Sequence, residues 1–226
     1  MRSTALALVV VASVASLSAG VAQGQARAAA TPPFEAGKHY TVLSPAQPTS
    51  TDAGKVEVAE VFMFSCPGCF GFEPHIQRWL SSKADYINFV RIPAPWNPPA
   101  PLHARAFYTA EALGKTDEID GDFFTEIHVN RNLLETEAKL ADFFAKHGVD
   151  EATFKSTFNS FAVNAKVKRA EELIGRYRVG STPTVVVNGK YATTGAQAGS
   201  YEAWFAIIDD LAAREHNAAS GAASAQ

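Results

Sequence analysis

Two cysteines in 226 residues are too few for a disulfide framework or for a four-thiolate metal centre. Charge of one sign is also missing. Lysine and arginine number 20 against 23 aspartates and glutamates, for a net charge of -3, which gives no electrostatic footprint for a nucleic-acid backbone. No internal repeat, heptad array or collagen-like period is present, so fibrous and solenoid architectures are excluded. No apolar run reaches the roughly 20 residues that a membrane-spanning helix requires. With 47% hydrophobic residues, what remains is one ordinary globular domain or a domain with an insertion.

What is present begins at the N-terminus. Arg2 precedes the apolar run Ala5 to Leu17, and the small residues of "GVAQGQARAAA" follow. That order reads as a secretory signal peptide over residues 1–30, cleaved after Ala26 or Ala30. A membrane anchor is the competing reading, but the run is too short and no cysteine sits where a lipid would attach. Export places the chain where disulfides form and persist.

In that setting the spacing of the only two cysteines becomes informative. "SCPGCFGFEP" sets Cys66 and Cys69 three positions apart, with Pro67 and Gly68 between them. A bridge across two residues closes almost no loop, so it removes little entropy from the unfolded chain and is a poor structural staple. With no third cysteine, the two can pair only with each other or with another molecule.

Around this pair the chain alternates strand and helix signals. Tyr40 to Leu43 reads as a short strand, and "KVEVAEVFMFS", which begins with alternation and becomes nearly all apolar, as a strand buried on both faces. From Cys66 the pattern turns helical, with Pro67 suited to the first helical position and Pro74 expected to kink the helix further on. "DYINFVRIP" is the next strand, ended by the prolines of "PAPWNPPAP". The middle of the chain is helical by period. One stripe holds Phe123, Phe124 and Ile127; a second holds Leu140, Phe143, Phe144 and His147, stopped by Gly148. Asp150 caps a helix expected to carry Phe154, Phe158 and Phe161, and a further helix is expected from about Asn164 to Tyr177. "TVVVNGKYATT" then reads as a hairpin on an Asn188-Gly189 turn, and a last helix starts near Ser200 with Trp204, Ile207, Ile208 and Leu211 on one side. The small polar end, residues 215–226, reads as a flexible tail. The sum is an α/β sheet with a helical insertion.

The chemistry open to the pair follows from its position. A thiol near its reference pKa of about 8.5 is only a few per cent thiolate at neutral pH, and the thiolate is the nucleophile. Cys66 at a helix start receives free backbone N–H groups and the positive end of the helix dipole, which stabilises its ionised form. Cys69, one turn further in, is suited to the role of resolving thiol. Stabilising the thiolate favours the reduced pair and makes the disulfide a stronger oxidant.

"FMFSCPGCFGFEP", with "GKHYTVL" before it and "VGSTPTVVVNGKY" after it, resembles the DsbA family of thioredoxin-fold periplasmic disulfide oxidoreductases. The resemblance runs from about Phe34 to Ala213. It implies a thioredoxin fold with an inserted helical domain: residues 34–97 and 164–214 form the thioredoxin-like part and residues 98–163 the insertion. It further implies Cys66 as surface nucleophile, Cys69 as its partner, and Pro183 as a cis-proline facing them with Thr182 before it. Glu60 and Glu73 match acidic positions that modulate the pair; the solvated-helix reading of Glu73 stands beside that role. The implied partners are reduced exported polypeptides and a DsbB-type membrane quinone reductase, with a monomeric protein in the periplasm and no cofactor beyond the cysteine pair. One departure matters. Where the family commonly has Pro-His between the cysteines, this chain has Pro67-Gly68, which removes one stabiliser of the thiolate and points to a weaker oxidant.

Three other readings compete. A metal site would have to recruit His75 or His103, neither tightly spaced to the pair. A disulfide isomerase or reductase would need an N-terminal dimerisation domain, for which the stretch before Tyr40 leaves no room. A non-catalytic thioredoxin-like chaperone would not need both cysteines at redox spacing.

Overall fold

The computed structural model describes residues 34–223, so the expected signal peptide lies outside the described residues. Its centre is a mixed five-stranded sheet, built from β1 (Thr41–Val42), β2 (Val56–Phe62), β3 (Ile87–Pro93), β4 (Thr184–Val187) and β5 (Tyr191–Thr194), in the order β1-β5-β4-β2-β3. β2 runs parallel to β3 and antiparallel to β4, and every one of its residues is buried. A fully buried strand has no solvent face to mark with polar residues, and its two glutamates, Glu57 and Glu60, are buried with the rest.

Eight helices complete the described chain: α1 (Pro67–Leu80), α2 (Ala100–Ala112), α3 (Thr116–His128), α4 (Glu137–Lys146), α5 (Glu151–Phe158), α6 (Phe161–Arg176), α7 (Gly195–Ala198) and α8 (Tyr201–Ala223). One apolar cluster joins α1 and α8 to the sheet through Phe72, Ile76, Trp79, Trp204, Ile207 and Leu211. Its centre is the stack of Phe72 on Trp204, with ring centroids 4.3 Å apart. The second and larger cluster runs from Val61, Phe62 and Phe64 into the phenylalanines of the helical block, with Phe64 stacked on Phe123 at 4.1 Å. The insertion between β3 and β4 therefore shares a continuous core with the sheet strand that leads to the cysteines.

Local signals explain most boundaries. Asp150 accepts a hydrogen bond from the Thr153 N–H at the start of α5, and Gly148, at φ 77°, ends the turn after α4. Asn188 and Gly189 both take positive φ, 50° and 62°, as a type I′ turn demands. Only glycine fits at 189, because a Cβ there would lie 2.1 Å from the Gln47 carbonyl oxygen.

Some expectations need correction. α6 begins at Phe161 behind a Ser160 cap, three residues earlier than periodicity placed it, and Phe161 is 88% exposed instead of lying on the α5 core face. His147 is the C-cap residue of α4. The expected flexible tail is helical through Ala223. Glu215 is buried and accepts hydrogen bonds from Asn188, Lys190 and Tyr191, which ties α8 to the β4–β5 hairpin. Three long-range partners at one residue are invisible in a run of small polar side chains.

Candidate active site

β2 ends at Phe62, and four residues later the chain reaches Cys66, the N-cap of α1 with extended backbone angles. Pro67 occupies the first helical position, where a missing N–H costs nothing. Pro74 lies within the helix. Both thiols are free. Cys66 is partly exposed, whereas Cys69, one turn in, is fully buried.

Against this helix start lies the loop before β4. The Thr182–Pro183 bond is cis, and the Cys66 thiol donates to the Thr182 carbonyl at 3.4 Å. A Cβ built on Gly68 would lie 3.3 Å from Pro183 Cδ and 3.7 Å from Cys66 Sγ. The structure thus brings Cys66, Gly68, Thr182 and Pro183 together across 116 residues of sequence.

The two thiols are driven apart electrostatically. Cys66 is lowered to about 5, first by the hydrogen bond from the Cys69 thiol, then by the Thr182 side chain and the backbone N–H groups of Cys69 and Gly68, with partial burial opposing. Cys69 moves far upward, because it holds the proton donated toward Cys66 and because it is buried; the charge of Glu60 adds to the effect. One sulfur is therefore an accessible thiolate near neutral pH and its neighbour a sealed thiol.

Glu60 and Glu73 sit together beneath this pair. Glu60, 1% exposed, lies in register with Arg91 on the neighbouring parallel strand, and Arg91 Nε donates to it at 3.1 Å. Glu73 is a buried ion-pair partner of the same guanidinium and also accepts from Gln77 at 2.7 Å, so the solvated-helix reading is corrected. Burial pushes Glu60 up to about 7; Arg91 pulls against this, while the charges of Glu73 and Asp120 add to it.

Sequence reasoning missed Arg91, Asp120 and His128. Arg91 had one visible signal, a lone cation inside the apolar strand run "INFVRIP". Asp120 had none, since it stands in the polar segment "TDEIDGD". His128, at the end of α3, donates from Nε2 to the Phe64 carbonyl at 2.8 Å and stacks on Phe70 at 4.7 Å, gripping the chain on both sides of the cysteine turn. Of the histidines considered for a metal, His103 is buried with Nε2 on the Leu133 carbonyl, and His75 lies against Arg78 and Tyr201.

A thioredoxin-like sheet, a two-cysteine helix start with one thiol of lowered pKa and a cis-proline across from it define a thiol:disulfide oxidoreductase. The model of the DSBA-like thioredoxin domain matches residues 57–200, and the chain belongs to that family. Its curated relatives include thiol:disulfide interchange protein DsbA of Burkholderia cepacia, 38% identical over 195 residues that cover 86% of this chain and 92% of the relative. The same-named protein of Pseudomonas aeruginosa is 38% identical over 82% of this chain and 88% of its own length. Among solved structures, P. aeruginosa DsbA superposes with a TM-score of 0.78 at 38% identity, covering 83% of this chain and 97% of that one. The oxidoreductase DsbA from Xylella fastidiosa gives 0.76 at 30% identity, covering 83% and 100%.

Proposed function

We propose that the protein donates a Cys66–Cys69 disulfide to reduced polypeptides exported to the periplasm. The observation that carries this reading is the asymmetry of the pair: a partly exposed, acidic Cys66 at the helix start and a sealed Cys69 behind it. A substrate thiolate attacks Cys66, the reachable sulfur; the Cys66–Cys69 bond breaks, and its electron pair leaves on Cys69, which takes up a proton. A second substrate thiolate attacks the substrate sulfur of the mixed disulfide and expels Cys66 as a thiolate. Its low pKa makes Cys66 a good leaving group in this step. Two substrate thiols end as a disulfide, and the pair ends reduced.

The backbone beside Thr182 and Pro183 pairs with an extended substrate segment by strand addition, a contact that tolerates many sequences. The pair itself is the redox group, with no metal or other cofactor, and the protein acts as a monomer. Reoxidation falls to a DsbB-type membrane quinone reductase. Residues 1–30 carry the export signal, and no helix among the described residues is long and apolar enough to cross a membrane.

Gly68 tempers the oxidant. Its Cα lies where a side chain would touch both Pro183 and the Cys66 sulfur, so the missing imidazole leaves the thiolate with one donor fewer at close range. Expression of a Cys69→Ala variant in the periplasm tests the donor reading. Mixed disulfides between Cys66 and exported proteins are expected, and their absence from a folded, exported variant would overturn it.

A further inference from the structure

Arg91 is the only basic side chain paired with three buried carboxylates among the described residues, and each comes from a different element. Glu60 on β2 accepts at 3.1 Å, Glu73 on α1 forms the second pair, and Asp120 on α3 accepts at 3.3 Å. Their exposures are 1%, 9% and 6%, so water screens none of them well. Three anions around one guanidinium leave two negative charges uncompensated in a closed site, which low-dielectric surroundings make costly. Glu73 has a further donor in Gln77. Asp120 does not: its Oδ1 is buried without a hydrogen-bond partner, as expected of a carboxyl that keeps a proton part of the time or is poorly paired.

The rest of the surroundings offers no relief. Asp117, on the same helix, adds negative charge to Asp120. Across the cavity that Asp120 lines, of about 780 Å³, Lys166 is already paired with Glu111 at 3.2 Å, and Arg169 stands near Tyr108 and Tyr177. Glu73, Arg91 and Asp120 all reach this cavity, whereas Glu60 lies behind them and its charge acts on Cys69.

We propose that Asp120 is a positioning residue for the redox pair: by competing with Glu60 for the guanidinium of Arg91, it weakens the hold of that cation on the carboxyl that acts on Cys69. The helical insertion thereby takes part in the electrostatics of the cysteines through a single side chain that touches neither sulfur. Burial displaces both Glu60 and Asp120 upward to about 7, and the charge of Asp120 adds to the rise at Glu60. The inference rests on the donor reading of Cys66 and Cys69 for its functional meaning, but its own test does not.

The test is a ¹³C-carboxyl NMR titration of the reduced protein, with Glu60 assigned through Glu60→Gln. In Asp120→Asn, an isosteric change at an atom without a partner, the Glu60 midpoint is expected to fall by about one pH unit as Arg91 is released to it. Asp120→Glu is expected to restore the higher midpoint. An unchanged Glu60 midpoint in folded Asp120→Asn would overturn the proposal. Should that variant fail to fold, the unmutated protein decides: coupled, two-step curves for both carboxyls support the proposal, and independent single steps overturn it. Disulfide transfer by the unmutated protein, assayed separately, reports on the donor reading alone.

Discussion

A side chain's first carbon at Gly68 would meet Pro183 Cδ at 3.3 Å and Cys66 Sγ at 3.7 Å. Position 68 is therefore a direct handle on the thiolate. Gly68→His places an imidazole beside the sulfur and should shift the glutathione equilibrium toward the reduced protein by about tenfold, or about 30 mV. Gly68→Ala fills the same first contact without a donor and should shift it much less. Equal shifts in the two variants would assign the effect to crowding against Pro183.

The hydrogen bond from Cys69 is the largest cause of the low Cys66 pKa. Thiolate absorbance at 240 nm should titrate with a midpoint of about 5 in the reduced protein. In Cys69→Ala the midpoint should rise by about one unit or more, toward that of an ordinary thiol. An unmoved midpoint would place the stabilisation in the helix N-terminus and Thr182 instead.

Glu60 gives a pH signature of opposite sign. Its pKa is raised from 4.5 to about 7, so the folded protein holds a proton that the unfolded chain releases across that window. Stability on this account falls as pH rises from about 4.5 through about 7, and the loss is complete above it. Glu60→Gln should raise Tm at pH 8 and change it little at pH 5, at ~2–4 °C for each kcal/mol regained in a chain of this size. A drop in Tm at pH 8 would mean that the Arg91 pair outweighs the burial of Glu60.

Glu215 anchors what looked like a tail. Removing its carboxylate leaves Asn188, Lys190 and Tyr191 without their shared acceptor, so Glu215→Ala should cost about 1–3 kcal/mol by thermal unfolding. Truncation after Ala213 should cost at least as much, whereas a dispensable tail would leave stability unchanged.

These cases show which signals a sequence carries. The cysteine spacing, the Asn188-Gly189 turn, the Asp150 cap and the buried run of β2 are local, and each was legible because the chemistry acts within a few residues. The Arg91 cluster was not, because Glu60, Glu73, Arg91 and Asp120 meet only once β2, β3, α1 and α3 have packed. Glu215 was hidden for the same reason, its partners lying 24 to 27 residues upstream. Phe161 misled in the other direction: its spacing matched a core stripe, but the Ser160 cap restarted the helix and turned the ring outward.

The reduction potential of the Cys66–Cys69 couple, set by equilibration with glutathione at pH 7, bears most directly on the assignment of this pair as a disulfide donor weakened by Gly68. The expected value lies between the about −270 mV of thioredoxin and the about −120 mV of the family's strong oxidant. A value at or below thioredoxin's would make the protein a reductant and contradict the donor assignment, and one at or above −120 mV would contradict the role given to Gly68.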